Sequence, residues 1–257
     1  MILEFRFYNK EINLGRYKII IQYDGSFFNG WQVQKEQKTV QGEIENALKK
    51  ISGYDIRIPV HGSGRTDAGV HAKGQVAHFD MKTKLGTDKL HNAINANISN
   101  YCKVMKVKKV NNDFHSRFDA KRRFYSYQIY NGESLLYKNQ AWLKKNVDIK
   151  KLNLISKTIL GKHDFLSFSK FRPNQLNTEC EIYTSKWISN EKMVIYNIVG
   201  NRFLHHMVRY LVGTIIKVAE GFYDIEKFKS LLSDPRKDVQ IYKAPANGLI
   251  LTKVEYE

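Results

Sequence analysis

The chain has 257 residues, 42% hydrophobic and 26% charged, enough for one large core or two small ones and unlike a disordered or fibrous protein. Lys and Arg number 42 against 25 Asp and Glu, a net charge of +17 that favours a polyanionic partner through phosphate neutralisation and counterion release. Two cysteines exclude a disulfide framework and a cysteine zinc site, while the absence of a signal-like N-terminus or a run of about 18 apolar residues points to a cytoplasmic protein with no membrane partner.

Residues 16–24 (RYKIIIQYD) read as a strand. Residues 39–52 read as a helix, with Thr39 as N-cap, Val40, Ile44, Leu48 and Ile51 on one face, and Gly53 as the stop. Ile56, Ile58 and Val60 alternate as in a strand, and residues 75–81 form another. A second helix is expected over 87–98, with Leu90, Ala93, Ile94 and Ile98 inward, then a strand over 101–110. Strand, helix, strand, strand, helix, strand is the ferredoxin-like pattern.

The second half repeats that order without repeating the residues. A strand rich in aromatics covers 121–130, and a helix covers 148–160 with Ile149, Leu152, Ile155 and Ile159 inward. Strands follow over 181–188 and 193–200. Residues 203–219 carry Leu204, Val208, Leu211, Ile215 and Val218 at helical spacing; a short helix over 224–232 and a last strand over 248–256 complete the chain. The expectation is an α+β protein of two ferredoxin-like (βαββαβ) halves, residues 1–112 and 113–257, whose mainly antiparallel sheets meet at a basic cleft.

The loop of the first half carries GRTDAGVHA, residues 64–72. Its neighbouring glycines, 62, 64 and 69, are out of GxGxxG register and a strand follows, which excludes a dinucleotide fingerprint; there is no Walker A motif either. What remains is Asp67 with Arg65 two positions before it. That pairing suits ionised-carboxylate chemistry on a polyanion, or a turn in which Asp67 accepts local backbone hydrogen bonds. His205 and His206 are adjacent and, on a helix, point to different faces; His61, His71 and His78 lack an accompanying carboxylate or thiolate cluster. No metal site is expected from either group. His115, His163 and His206 suit phosphate contact or simple packing.

In RRFYSYQIY, period two places Tyr125, Tyr127 and Ile129 on one strand face. Such a face can stack unpaired bases or form half of a core. Arg209 follows Val208 on an apolar helix and needs a partner if buried. Asp67 across the cleft is the candidate; the alternative is an arginine that snorkels at the helix edge.

Together these segments resemble the tRNA pseudouridine synthase A family over residues 16–254. The resemblance is carried by YDGSFFNGWQ (23–32), GRTDAGVHA, SRFDAKRRFYSYQIY (116–130), GKHDF (161–165), FLHHMVR (203–209) and APANGLIL (244–251). It implies the pseudouridine synthase fold and an isomerase that converts uridine to pseudouridine at positions 38–40 of the tRNA anticodon stem-loop. By motif match, Asp67 takes the place of the catalytic aspartate, Tyr125 of the active-site tyrosine and Arg209 of the arginine that pairs with the aspartate. Leu249 falls in the apolar wall around the base, and Arg65 at the arginine tied to RNA binding and base flipping. Arg202, where many members carry something small, and His206 are further expected substrate contacts. Tyr127, a second tyrosine on the same face as Tyr125, is another. The family also implies a homodimer with tRNA lying across both subunits.

The chemistry needs these residue types. The glycosidic bond must break, the uracil must turn, and C5 must bond to C1′. A stacked base cannot do this, so the nucleotide is flipped out at a cost of a few kcal/mol. An ionised Asp67 can attack C1′ or take a proton from the sugar, and a partner arginine lowers its pKa and orients it. No oxidation state changes and no group leaves, so neither cofactor nor metal is expected. Two rivals remain at this point: a non-catalytic RNA-binding protein, and a nucleoside hydrolase or glycosidase with a second carboxylate, for which Asp24 is the candidate.

Overall fold

The computed structural model describes residues 14–170 and 177–257; the N-terminal reading above falls partly on residues 1–13, outside the described residues. β1 (Leu14–Tyr23) buries Tyr17, Ile19, Ile21 and Tyr23, every second residue, as its alternation requires. α1 (Val40–Ser52) starts where the Thr39 hydroxyl accepts from the Gly42 amide and stops at Gly53, whose φ of 71° is left-handed.

The strand expected from the alternation of Ile56, Ile58 and Val60 does not form. Ile56 is 69% exposed, Pro59 can offer no ladder donor, and the Val60 amide is taken by the Glu45 carboxylate of α1 at 3.0 Å. Only β2 (His61–Gly62) pairs there. β3 (His71–Lys82) begins earlier than expected, inside the GVHA of the glycine-rich motif, so the Asp67 loop runs directly into it. α2 (Thr87–Ala96) and β4 (Cys102–Val110) complete the first half.

The second half contains β5 (Arg122–Asn131), the short β6 (Trp142–Lys144), α3 (Ile149–Ser156), β7 (Gly161–Asp164), β8 (Glu179–Asn190) and β9 (Met193–Gly200). α4 (Met207–Ala219), α5 (Ile225–Ser233) and β10 (Leu249–Glu255) follow. β6 and β7 have too few residues for a periodic signal. α4 starts four residues later than the apolar spacing suggests, because His206 adopts a left-handed φ of 65°. No helix among the described residues is long and apolar enough to cross a membrane.

All strands join one sheet in the order β4-β1-β3-β10-β5-β9-β8-β7, with β2 on β3 and β6 on β5. Within it, β4-β1-β3-β2 and β10-β5-β9-β8 share one pattern, fourth strand, first, third, second, which is the ferredoxin-like order in each half. β10 is the seam. Ile250 and Leu251 pair in parallel with His71 and Ala72 of β3, while Leu249 and Leu251 face Tyr127 and Tyr125 of antiparallel β5. Two apolar cores flank that seam, one around Ile19, Phe79 and Leu90, the other around Tyr127, Trp187 and Leu211; Tyr125 packs against both.

Candidate active site

The loop between β2 and β3 is held from beneath by the YDGSFFNGWQ segment. The Trp31 amide donates to the Thr66 carbonyl at 3.1 Å, and the Tyr23 and Thr66 hydroxyls meet at 2.8 Å. A side chain at Gly30 would put its Cβ 2.7 Å from the Thr66 carbonyl oxygen, and Gly30 has a φ of 87°, so glycine is required twice over. Gln75 of β3 donates to the Gly64 carbonyl at 3.0 Å and fixes the other arm of the loop.

Asp67 sits at the tip with its side chain 16% exposed. Its Oδ2 accepts from His206 Nδ1 at 2.6 Å and from Arg209 Nη1 at 2.9 Å, while Oδ1 lies 3.6 Å from His205 Nε2. Burial pushes the carboxyl up, but the hydrogen bonds and charges of His206 and Arg209 outweigh it and hold Asp67 below the usual carboxylate range. An ionised carboxylate only accepts, so His206 carries its proton on Nδ1.

His205 and His206 do not lie on different faces of a helix, as the spacing suggests. Both precede α4, their rings stack at 3.9 Å, and their ring nitrogens lie with the Asp67 carboxylate within 4.8 Å of one another. Ligand-type atoms therefore do converge here. The Arg209 guanidinium against the same carboxylate makes this a salt bridge and not a ligand set, because a cation would be repelled by it.

Arg209 is anchored on its other edge, where Nε donates to the Ala244 carbonyl at 2.9 Å; the Ala244 amide returns a bond to the Arg209 carbonyl, also at 2.9 Å. The structure thus brings FLHHMVR, GRTDAGVHA and APANGLIL to one point. A small open pocket lies before Asp67, bounded by Arg65, Tyr125, Phe203, His206, Arg209 and Leu249 among others. Tyr125 is half-buried and meets Phe203 edge-to-face, with ring centroids 5.2 Å apart. Burial, reinforced by the Asp67 charge, pushes its hydroxyl well above the ordinary tyrosine value, so it is a neutral phenol. Leu249 supplies an apolar wall at the start of β10. Arg65 is exposed at the mouth and makes no hydrogen bond or ion pair among the described residues.

Two expected contacts, Tyr127 and Arg202, fall outside the pocket lining, and a third, His206, is used differently. Tyr127 is fully buried, and its hydroxyl donates to the Pro245 carbonyl at 2.9 Å, so it is a core residue with no surface to offer a base. Arg202 is half-buried and does not line the pocket. His206 lines it but spends its Nδ1 on Asp67 instead of on a phosphate. Asp24 caps its own turn by accepting from the Ser26 amide at 3.0 Å, and Asp67 is the one carboxylate among the described residues that bound the pocket. Sequence reasoning missed His205, Phe203 and Arg123. Arg123 donates to the carbonyls of Ser63, Arg117, Ala120 and Asn201 and so ties three segments around the site; nothing in RRF distinguishes it from its exposed neighbour Arg122.

Comparison with known proteins supplies the context. A family model described as tRNA pseudouridine synthase matches residues 19–119 and 155–257. The tRNA pseudouridine synthase A of Borreliella burgdorferi is 39% identical over 242 residues, 92% of this chain and 97% of that protein. Its namesake in Borrelia turicatae is 38% identical over 244 residues with the same two shares. A chain of a solved Cbf5-Nop10-Gar1 complex aligns with 91% of this chain and 57% of its own length, at 11% identity and a TM-score of 0.36, too low to bear on the fold.

Proposed function

Since the chain belongs to the tRNA pseudouridine synthase family, we propose that it isomerises uridine to pseudouridine at positions 38–40 of the tRNA anticodon stem-loop, with Asp67 as its catalytic carboxylate. The observation that carries this reading is the state of Asp67. It is a single carboxylate at an open pocket, kept ionised by His206 and Arg209 and faced by an apolar wall at Leu249.

A flipped uridine enters with its base between Tyr125 and Leu249 and its C1′ toward Asp67. Arg65, exposed at the mouth and without a hydrogen bond or ion pair among the described residues, would fill the gap left in the stem. Asp67 attacks C1′ or removes a sugar proton, the glycosidic bond opens, and the uracil turns so that C5 meets C1′. The C5 proton must then leave. Tyr125, a neutral phenol, can take it only while passing its own proton onward, and Asp67 is the near acceptor. A hydrolase would place a second carboxylate at the pocket to activate water, and Asp24 is committed to its own turn.

The matched strand orders support reading residues 1–112 as the half that brings Asp67 and 113–257 as the half that brings Tyr125, Arg209 and Leu249. The motif resemblance supports a cytoplasmic homodimer with tRNA across both subunits. The test is tritium release from tRNA transcript labelled at uridine C5, without added metal or nucleotide. Release by the wild type and none by Asp67→Asn, with tRNA binding retained in both, is the expected result. Binding without release in either protein overturns the assignment for this substrate.

A further inference from the structure

His206 occupies a left-handed backbone conformation, with φ 65° and ψ −1°, that residues other than glycine adopt uncommonly. It is also the N-cap of α4, yet its side chain makes no capping bond to that helix. Both features have one outcome. The left-handed turn swings the imidazole away from its own helix end and onto Asp67, where Nδ1 stands 2.6 Å from Oδ2. A strained position at a functional site is a reason to look for a role.

The ring has little freedom once there. His205 stacks on it at 3.9 Å with planes 26° apart, and Tyr210, one turn into α4, meets it edge-on at 5.9 Å. The titratable and charged groups that face His206 are thus Asp67, His205, Tyr210 and, across the shared carboxylate, Arg209. Both hydrogen bonds to Asp67 fall on Oδ2. Among the described residues, Oδ1 has His205 Nε2 near it, at 3.6 Å, and accepts no hydrogen bond as short as those to Oδ2.

We propose that His206 is a positioning residue that decides which oxygen of Asp67 reacts. Its Nδ1–H, with Arg209, pins Oδ2 and leaves Oδ1 as the oxygen presented to the sugar. Arg209 alone does not fix the carboxylate, because one hydrogen bond to one oxygen leaves rotation about the Cβ–Cγ bond open; the second donor, arriving from a different direction, closes it. The role deepens the synthase reading of Asp67 and rests on it.

The backbone supplies the means to separate conformation from hydrogen bonding. Glycine and asparagine both accept a left-handed φ, and the asparagine Nδ2 sits close to where a histidine Nδ1 would be. His206→Gly therefore keeps the turn and loses the donor, while His206→Asn keeps both. With tritiated tRNA, His206→Gly should lower kcat by about 10- to 100-fold, the scale of a misplaced reacting group, with the tRNA Kd changed by less than about threefold. Its acid limb in kcat against pH should move to higher pH, since Asp67 has lost a bond to its charged form. His206→Asn should recover most of the rate and the wild-type limb.

Equal rates and equal pH profiles for wild type, glycine and asparagine variants overturn the proposal. So does equal impairment of the two variants, which would mean that the imidazole matters for packing alone. If the wild type itself releases no label, the synthase reading fails separately. The hydrogen bond is then judged by carbon-13 titration of the Asp67 carboxyl, where an upward shift in His206→Gly upholds it and an unchanged midpoint overturns it.

Discussion

Asp67 and Arg209 stand 142 residues apart in the chain and 2.9 Å apart in space, and the guanidinium that reaches Oδ2 with Nη1 is held to the Ala244 carbonyl by Nε. The pair is largely buried, with side chains 16% and 11% exposed. Removing one partner leaves a buried charge that water cannot fully reach. Arg209→Ala should therefore lower stability by about 1–3 kcal/mol, less than for an isolated pair because His206 still binds Asp67, and should lower kcat by more than about 100-fold. Arg209→Lys keeps the charge without the second edge and should fall between. Urea unfolding with label-release kinetics checks both effects.

The pair also sets a pH dependence. Burial works against ionisation of Asp67, but His206 and Arg209 prevail and its folded-state pKa lies below the ordinary value. A depressed carboxyl contributes stability above its unfolded pKa of about 3.9, and that contribution is lost as pH falls through the folded value. The stability difference between wild type and Asp67→Asn should thus shift against the wild type as pH is lowered from about 6 towards 3. Denaturant titrations at several pH values measure it. A difference independent of pH would mean that Asp67 titrates alike folded and unfolded. Over the same range kcat should stay flat down to about pH 5, since the carboxylate is already ionised there.

Much of this was legible in the residues. Strand alternation and caps placed β1, α1, α2, β4, β5, β8, β9 and β10 within a few residues, because each buries a periodic face. Arg209 could be paired with Asp67 because a charge on the apolar face of α4 demands a partner. Two of the failures have the same cause, that a tertiary contact overrode a local pattern. Glu45 captured Val60 and left Ile56 and Ile58 without a strand; Asp67 captured His206 and cut four residues from the expected helix. Tyr125 and Tyr127 are equivalent by period; burial separates them, with Tyr127 sealed in the core on the Pro245 carbonyl and Tyr125 half-buried at the pocket.

That separation is measurable. Tyr127→Phe leaves the half-buried Pro245 carbonyl without its donor and should cost about 0.5–1.5 kcal/mol of stability while keeping most of the activity. Tyr125→Phe makes no such gap among the described residues, where its hydroxyl has no hydrogen bond, and should lower kcat with stability nearly unchanged. Thermal melts and single-turnover rates of the two variants read the difference. The opposite assignment, with Tyr127→Phe inactive and fully stable, would place the substrate against Tyr127 instead of Tyr125.

Gly30 offers a way to move Asp67 without touching it. A methyl group there would stand 2.7 Å from the Thr66 carbonyl and 3.1 Å from the Asp67 carbonyl carbon, on a backbone with φ 87°. Gly30→Ala should strain the loop by about 1–3 kcal/mol and displace the carboxylate from His206 and Arg209. The expected outcome is a loss of kcat by about 10- to 100-fold with tRNA affinity retained. An active, fully stable Gly30→Ala protein would show that the loop yields more easily than its contacts suggest.

Arg65 tests how the RNA is opened. It is exposed at the pocket mouth and makes no hydrogen bond or ion pair among the described residues, so Arg65→Ala should leave stability within about 0.5 kcal/mol of wild type. Two roles then predict different kinetics. An arginine that only neutralises a phosphate contributes about one unit to the slope of log K against log salt, and its loss weakens binding while kcat stands. An arginine that fills the space of the departed base contributes after binding, so its loss lowers kcat at saturating tRNA and leaves the salt slope nearly intact. The position of Arg65, two residues from Asp67 on the same loop, favours the second, since one turn would then carry both the side chain proposed to enter the stem and the proposed catalytic carboxylate. Arg65→Lys separates charge from shape, since a lysine keeps the phosphate contact but lacks the planar group that stacks between bases. A lysine variant as slow as the alanine variant, with a wild-type salt slope, is the expected result; full activity in Arg65→Lys would assign the residue to the backbone instead.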